Sequence, residues 1–158
     1  MNTKKSYTVQ EATAKLEYYC AYQERCHRDV REKLISMNMI PLAIDTIINH
    51  LIQENYLNEE RFARSFARGK FRIKKWGRKR IIRELKLRDI TRYNIEAALS
   101  EITDEEYFSA LEELAIKRLE SLREKDTLMR KKKLCDYLLY RGWEHHLVYE
   151  ISNNLIQD

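Results

Sequence analysis

The sequence predicts an all-α protein, built as an elongated tandem array of three three-helix, helix-turn-helix-like repeats. Three observations carry this expectation. Glycine and proline are scarce, 3 and 1 in 158 residues, where a β-rich chain needs many turns. Charged residues reach 35% beside 44% hydrophobic ones, which fits solvated amphipathic helices and not a disordered chain. One pattern of apolar positions also recurs three times along the chain.

Residues 1–8 carry no pattern and are expected to fray, within a flexible N-terminal stretch 1–10. Leu16, Tyr19 and Cys20 fall at helical spacing in a helix from about 11 to 23. A second helix, about 27–37, aligns Val30, Leu34 and Met37. Pro41 suits the first turn of a third, to about 54, with Ile44, Ile47, Ile48 and Leu51 as its apolar stripe.

Asn58 is an N-cap residue type and opens a helix to about Ile73. Phe62, Phe66 and Ile73 share its apolar side, flanked by Ala63 and Ala67. Arg61, Arg64, Arg68, Arg72 and Lys75 fall opposite them. Gly77 interrupts. A short helix, about 78–88, turns Ile81 and Leu85 inward and leaves Arg78, Lys79, Arg83 and Lys86 outward. Thr91 caps the next, about 92–101, with Ile95, Ala98, Leu99 and Ile102 inside.

Thr103 or Asp104 starts a long helix to about Arg123, carrying Leu111, Leu114, Ala115, Leu119 and Leu122. A helix over about 127–140 carries Leu134, Leu138 and Leu139, and Gly142 ends it. The last, about 144–156, offers Leu147, Val148, Ile151 and Leu155.

The repeat follows from this register. Val30, Leu34, Met39, Ile44, Ile48 and Leu51 correspond to Ile81, Leu85, Ile90, Ile95, Leu99 and Ile102, then to Leu134, Leu138, Trp143, Val148, Ser152 and Leu155. Only Ser152 is not apolar. Three units are therefore expected, at 11–57, 58–103 and 104–158, each packing on its neighbour.

Charge is distributed unevenly. Residues 61–92 hold 14 Lys/Arg against Glu84 and Asp89, whereas residues 1–60 carry a net −2 and residues 93–158 a net −5. A band this concentrated is the footprint of a polyanion or an acidic protein surface. Trp76, between Lys75 and Gly77, is the best candidate for an exposed aromatic contact, against the alternative that it plugs a helix joint. Phe71 also lies within the band. Tyr18, Tyr19, Tyr22, Tyr56, Tyr107 and Tyr137 read as half-buried packing residues, although tyrosines can also stack on bases.

The residues offer no enzymatic chemistry. Glycines at 69, 77 and 142 cannot build a phosphate loop. Cys20, Cys26 and His27 do not match a zinc pattern, and buried thiols are the simpler reading, with Cys135 left without a role. His145 and His146 diverge around a helix, and His50 has no visible partner. No catalytic residue, cofactor or metal is expected. With no apolar run for a signal peptide or membrane helix, a cytoplasmic protein is expected, monomeric by default.

Several runs resemble the RecX family. They are Tyr22-Gln23-Glu24-Arg25, Asn55-Tyr56-Leu57-Asn58-Glu59-Glu60-Arg61-Phe62-Ala63, Gly77-Arg78-Lys79-Arg80-Ile81, and Glu84-Leu85 with Ile90 beyond. The resemblance covers about residues 11–157. The chain departs from the family at Asn58, where an acid is common, and near Asn38, where a glycine is.

The resemblance implies tandem three-helix units and a negative regulator of RecA, the DNA-strand-exchange ATPase, in DNA repair and the SOS response. Such a protein lodges in the groove of the RecA–DNA filament and limits its growth, ATP hydrolysis and strand exchange. The expected contacts to RecA, and weakly to DNA within the filament, are Arg61, Arg64, Arg68, Arg72, Lys74, Lys75, Trp76, Arg78, Lys79 and Arg83. One rival is a helix-turn-helix DNA binder over 78–101, although its charge lies on the first helix and not on the recognition helix. Another is a single-stranded nucleic-acid binder acting without RecA.

Overall fold

The computed structural model describes residues 6–157, and among them all regular structure is helical. The order is α1 (Val9–Tyr22), α2 (His27–Ser36), α3 (Pro41–Gln53), α4 (Glu59–Arg72), α5 (Arg78–Leu87), α6 (Arg92–Leu99), α7 (Asp104–Ser121), α8 (Thr127–Tyr140) and α9 (His145–Leu155). Helices pack chiefly within the triplets α1–α3, α4–α6 and α7–α9.

Three helix starts are set by the caps the sequence announces: the Asn58, Thr91 and Thr103 side chains accept from the amides of Arg61, Asn94 and Glu106. Asp126, which the sequence reading does not single out, caps α8 in the same way, accepting from the Met129 amide. Thr8 corrects one expectation. Residues 6–8 are not frayed: Thr8 and Glu11 form a reciprocal capping box, so α1 begins at Val9. The part of that expectation falling on residues 1–5 lies outside the described residues.

The repeat extends to the backbone of its turns. Asn38, Asp89 and Gly142 stand at corresponding places after α2, α5 and α8, and all have left-handed backbones, with φ of 61°, 58° and 92°. Behind each, the next amide reaches back to the same helical carbonyl: Met39 to Leu34, Ile90 to Leu85 and Trp143 to Leu138. This is the Schellman geometry, in which glycine is strain-free and asparagine is tolerated.

Two cores form. One belongs to the first triplet and centres on Leu16, Leu34, Ile47, Leu51 and Leu57. The other is shared by the second and third triplets, with Ile81, Leu85, Leu134 and Leu138 in it. Phe71, Tyr107 and Trp143 bind those triplets together: Tyr107 lies 4.4 Å from Trp143 and 5.9 Å from Phe71 between ring centroids. Packing of three large rings is one apolar tie across this joint.

This corrects two expectations for α4. Ile73 is not on the apolar side but 78% exposed, just past the helix end, while Phe71 is buried core. Tyr18 and Tyr22 are likewise not half-buried. They are 74% and 73% exposed and stack on each other on the outside of α1. Tyr19, Tyr56 and Tyr137 are half-buried, and Tyr107 is fully so.

Candidate functional site

The 14 cations of residues 61–92 divide evenly. Seven have an acid within ion-pair distance. Arg61 Nε lies 2.6 Å from Glu24 of the first triplet, and its other nitrogens donate to Asn55 and to the carbonyls of Asn55 and Tyr56. Arg64 pairs with Glu101 at 2.7 Å and with Glu60 at 3.3 Å, Arg68 with Glu101 at 4.0 Å, and Arg72 with Glu106 at 3.6 Å. Arg88 and Arg92 pair one turn along with Glu84 and Glu96.

Arg78 is the most enclosed of the seven. It pairs with Asp104 at 2.7 Å and Glu144 at 3.5 Å, and its guanidinium lies 3.8 Å from the Tyr107 ring centroid. The Tyr107 hydroxyl donates to Glu144 and accepts from the Arg78 amide. Burial, reinforced by Glu144, pushes that phenol well above its ordinary value. The expectation that Arg61, Arg64 and Arg78 point freely outward is therefore corrected, because each braces a contact between elements.

The other seven, Lys70, Lys74, Lys75, Lys79, Arg80, Arg83 and Lys86, make no ion pair among the described residues. Trp76 sits among them, half-buried. It meets Phe66 edge-on at 6.2 Å, with Lys70 4.9 Å and Arg80 4.2 Å from its ring. It both fills the joint after α4 and carries two cations over its ring. Lys70, Arg80 and Lys86 belong beside the expected Lys74, Lys75, Lys79 and Arg83. Only knowledge of which acids reach which arginines distinguishes them.

The third triplet holds this surface from beneath. Gly77 N donates to the Arg141 carbonyl at 2.8 Å and Lys79 N to the Gly142 carbonyl at 3.0 Å. The carbonyls of Lys74 and Lys75 accept from Arg141 Nη1 at 2.8 Å and Trp143 Nε1 at 3.1 Å. Lys75 has a left-handed backbone, φ 60°. The first amides of α5 are thus satisfied by carbonyls and a hydroxyl of the next unit, with no side-chain cap. A Cβ on Gly77 would lie 2.4 Å from the Gly142 oxygen, so this backbone approach requires glycine.

On the outer face of α5, Lys79, Arg83 and Lys86 border an open groove with Ile82 and Leu87. On the other side of the linker, Lys74 and Lys75 share a cleft with Lys117, Arg118, Tyr137 and Arg141 of the third triplet. These last cations escape sequence reasoning because they lie in a segment of net negative charge.

Cys20 and Cys26 lie in different cores, and burial raises both thiols to about 11. Among the described residues no cluster of His, Cys, Asp and Glu is arranged to hold a metal ion, and no helix is long and apolar enough to cross a membrane.

Fold and surface together define a class: an all-helical tandem three-helix-repeat protein whose middle triplet carries an uncompensated cationic face braced by its neighbours. The model for the second three-helix domain of RecX matches residues 58–99, and that for its third three-helix domain matches residues 104–151. This chain belongs to the RecX family.

It is similar to the regulatory protein RecX of Streptococcus uberis, 30% identical over 141 residues, covering 87% of this chain and 53% of that protein. It is also similar to that of Lactobacillus gasseri, 36% identical over 92 residues, 58% of this chain and 34% of that one. The chain spans about half the length of the first of these relatives and a third of the second. The crystal structure of RecX from Lactobacillus salivarius superposes with a TM-score of 0.80 at 25% identity, over 93% of this chain and 96% of that one. A second RecX crystal structure matches in fold, with a TM-score of 0.82 at 21% identity, over 92% of this chain and 73% of that one.

Proposed function

We propose that this chain is a negative regulator of the RecA recombinase. It binds in the groove of the RecA–DNA filament in the cytoplasm and limits filament growth, ATP hydrolysis and strand exchange by occupancy, as a monomer. Units 11–57, 58–103 and 104–158 act as successive contact modules. The observation that carries this reading is the set of seven cations from Lys70 to Lys86 that no acid neutralises. Membership of a family named for regulatory proteins supports it.

A surface on which seven cations have no acid within ion-pair reach is poised for an external partner of opposite charge. The role falls on Lys74, Lys75, Lys79 and Arg83 with Trp76 beside them. Arg61, Arg64, Arg68, Arg72 and Arg78 contribute by fixing the units that present them. Occupying several protomers at once favours one filament state over others, and that restrains exchange.

The test is RecA ATPase on single-stranded DNA titrated with the wild-type chain and with a Lys79→Glu, Arg83→Glu, Lys86→Glu triple variant. These side chains face solvent and make no ion pair, so the variant keeps its helical circular dichroism. Suppression by the wild type and its loss in the variant are expected. Equal suppression by a folded variant at equal concentration overturns the role of this face.

A further inference from the structure

We infer that the cleft between the α4–α5 linker and the third triplet is a seat for the phosphodiester backbone of a single nucleic-acid strand. Lys74 and Lys75 line one side, Lys117 and Arg118 of α7 another, and Arg141, just past α8, closes it, with Tyr137 between. No acid lines this space of about 360 Å³. Five cations drawn from two triplets therefore share one opening without a counter-charge.

The arrangement is built and not incidental. Arg118 and Arg141 both lie against the Tyr137 ring, 4.7 and 4.6 Å from its centroid, which brings two like charges onto one aromatic. Arg118 Nε is shielded from solvent and has no hydrogen-bond partner, so a donor is left unsatisfied at the cleft. Arg141 is held by its bond to the Lys74 carbonyl, which fixes its guanidinium at the mouth of the cleft.

An isolated phosphate is better met by converging donors in a closed pocket. Here the cations are spread along an open cleft that continues into a second groove. Ile73 and Lys74 line both, and the second groove adds Phe66, Gly69 and Lys70. Ile73, 78% exposed, stands between the two. A cationic track with apolar and aromatic edges fits a strand whose bases are unstacked. The inference rests on the regulator reading, to which it adds a specific nucleic-acid seat, and it extends the surface to residues beyond the basic band.

The full chain is titrated into a labelled single-stranded oligothymidylate and binding is read by fluorescence anisotropy over a range of salt. Lys74→Glu and Lys117→Glu are each expected to weaken binding about five- to tenfold, and to reduce the salt slope by about 0.7 for each phosphate no longer neutralised. Lys132→Glu, on an exposed turn of α8 and not among the residues lining the cleft, changes net charge equally and is expected to alter affinity by less than about twofold. No binding by the wild type at low salt overturns the inference. So does an equal weakening in Lys132→Glu, which would reduce the effect to net charge. Competition by inorganic phosphate or by polyglutamate as strong as that by unlabelled strand, at equal charge, overturns the choice of ligand. The same variants in the RecA ATPase assay separate this inference from the regulator reading. Abolished suppression with strand binding unchanged overturns the cleft and leaves the regulator standing; abolished strand binding with suppression intact supports the cleft and removes it from the inhibitory route.

Discussion

Arg61 reaches back from the first turn of α4 to place its Nε 2.6 Å from Glu24, across the joint between the first two triplets. Its remaining nitrogens hold Asn55 and the carbonyls that lead into the helix. Glu59 meets the start of α2 beside it, accepting from the His27 amide at 3.0 Å, and Arg28 donates to the Leu87 carbonyl. This joint is largely polar, whereas the next is aromatic and backbone-to-backbone.

Arg61→Ala should therefore destabilise the fold by about 1–3 kcal/mol, because it strands a half-buried carboxylate and two carbonyls. Arg83→Ala, which removes an exposed and unpaired cation, should fall within about 0.5 kcal/mol of the wild type. Urea midpoints of the two variants check the contrast, and they separate bracing arginines from presenting ones.

Glycine substitutions should differ in sign. At Gly69, inside α4, an added methyl meets nothing within 4 Å, and Gly69→Ala should stabilise by about 0.5–1 kcal/mol through helix propensity. Gly77→Ala meets the backbone of Gly142 and Trp143 at 2.4–2.6 Å and should destabilise by about 2 kcal/mol or more as the second and third triplets part. Thermal melts of both variants decide this.

The three left-handed turns give a graded series. Asn38→Gly and Asp89→Gly should each be neutral or stabilising by up to about 1 kcal/mol, while Asn38→Ala should destabilise by about 1 kcal/mol. Denaturant titration of these variants tests whether the turn conformation is set by the repeat.

Alkaline pH should weaken the fold through its buried thiols. Burial raises Cys20 and Cys26 from 9.0 to about 11, so their folded values exceed their unfolded ones. Their stabilising share is then whole below about pH 9 and disappears as pH rises through about 11. Tyr107, shifted in the same direction, adds to the decline above its ordinary range. Urea midpoints measured across that window should fall less steeply in Cys26→Ala, and Cys135 should be the first thiol to react with a disulfide reagent.

The helices, their order and the threefold register are legible in the sequence because apolar spacing and cap residues are local. Val30, Ile81 and Leu134 are fully buried as corresponding positions, and Asn58, Thr91 and Thr103 cap as their types imply. Ile73 departs because α4 ends at Arg72, so helical periodicity no longer aims the next side chain. Phe71 owes its burial to Tyr107 and Trp143, which no local pattern foretells. The cationic surface is legible as charge density but not as geometry. Glu24, Glu101, Glu106 and Glu144 reach the arginines only through the fold, and Lys117, Arg118 and Arg141 join the lysines the same way.

Gly142 serves two ends at once, closing its own helical turn and admitting the backbone of the preceding unit. A β-carbon there would stand 2.3 Å from that of Arg80, although Asn38 and Asp89 do the first job with side chains in place. The modules are thus not interchangeable. A chimaera in which the first or second unit is transplanted into the third position would keep its internal turn and lose its berth, so the order of the array is written partly in the β-carbons missing from Gly77 and Gly142.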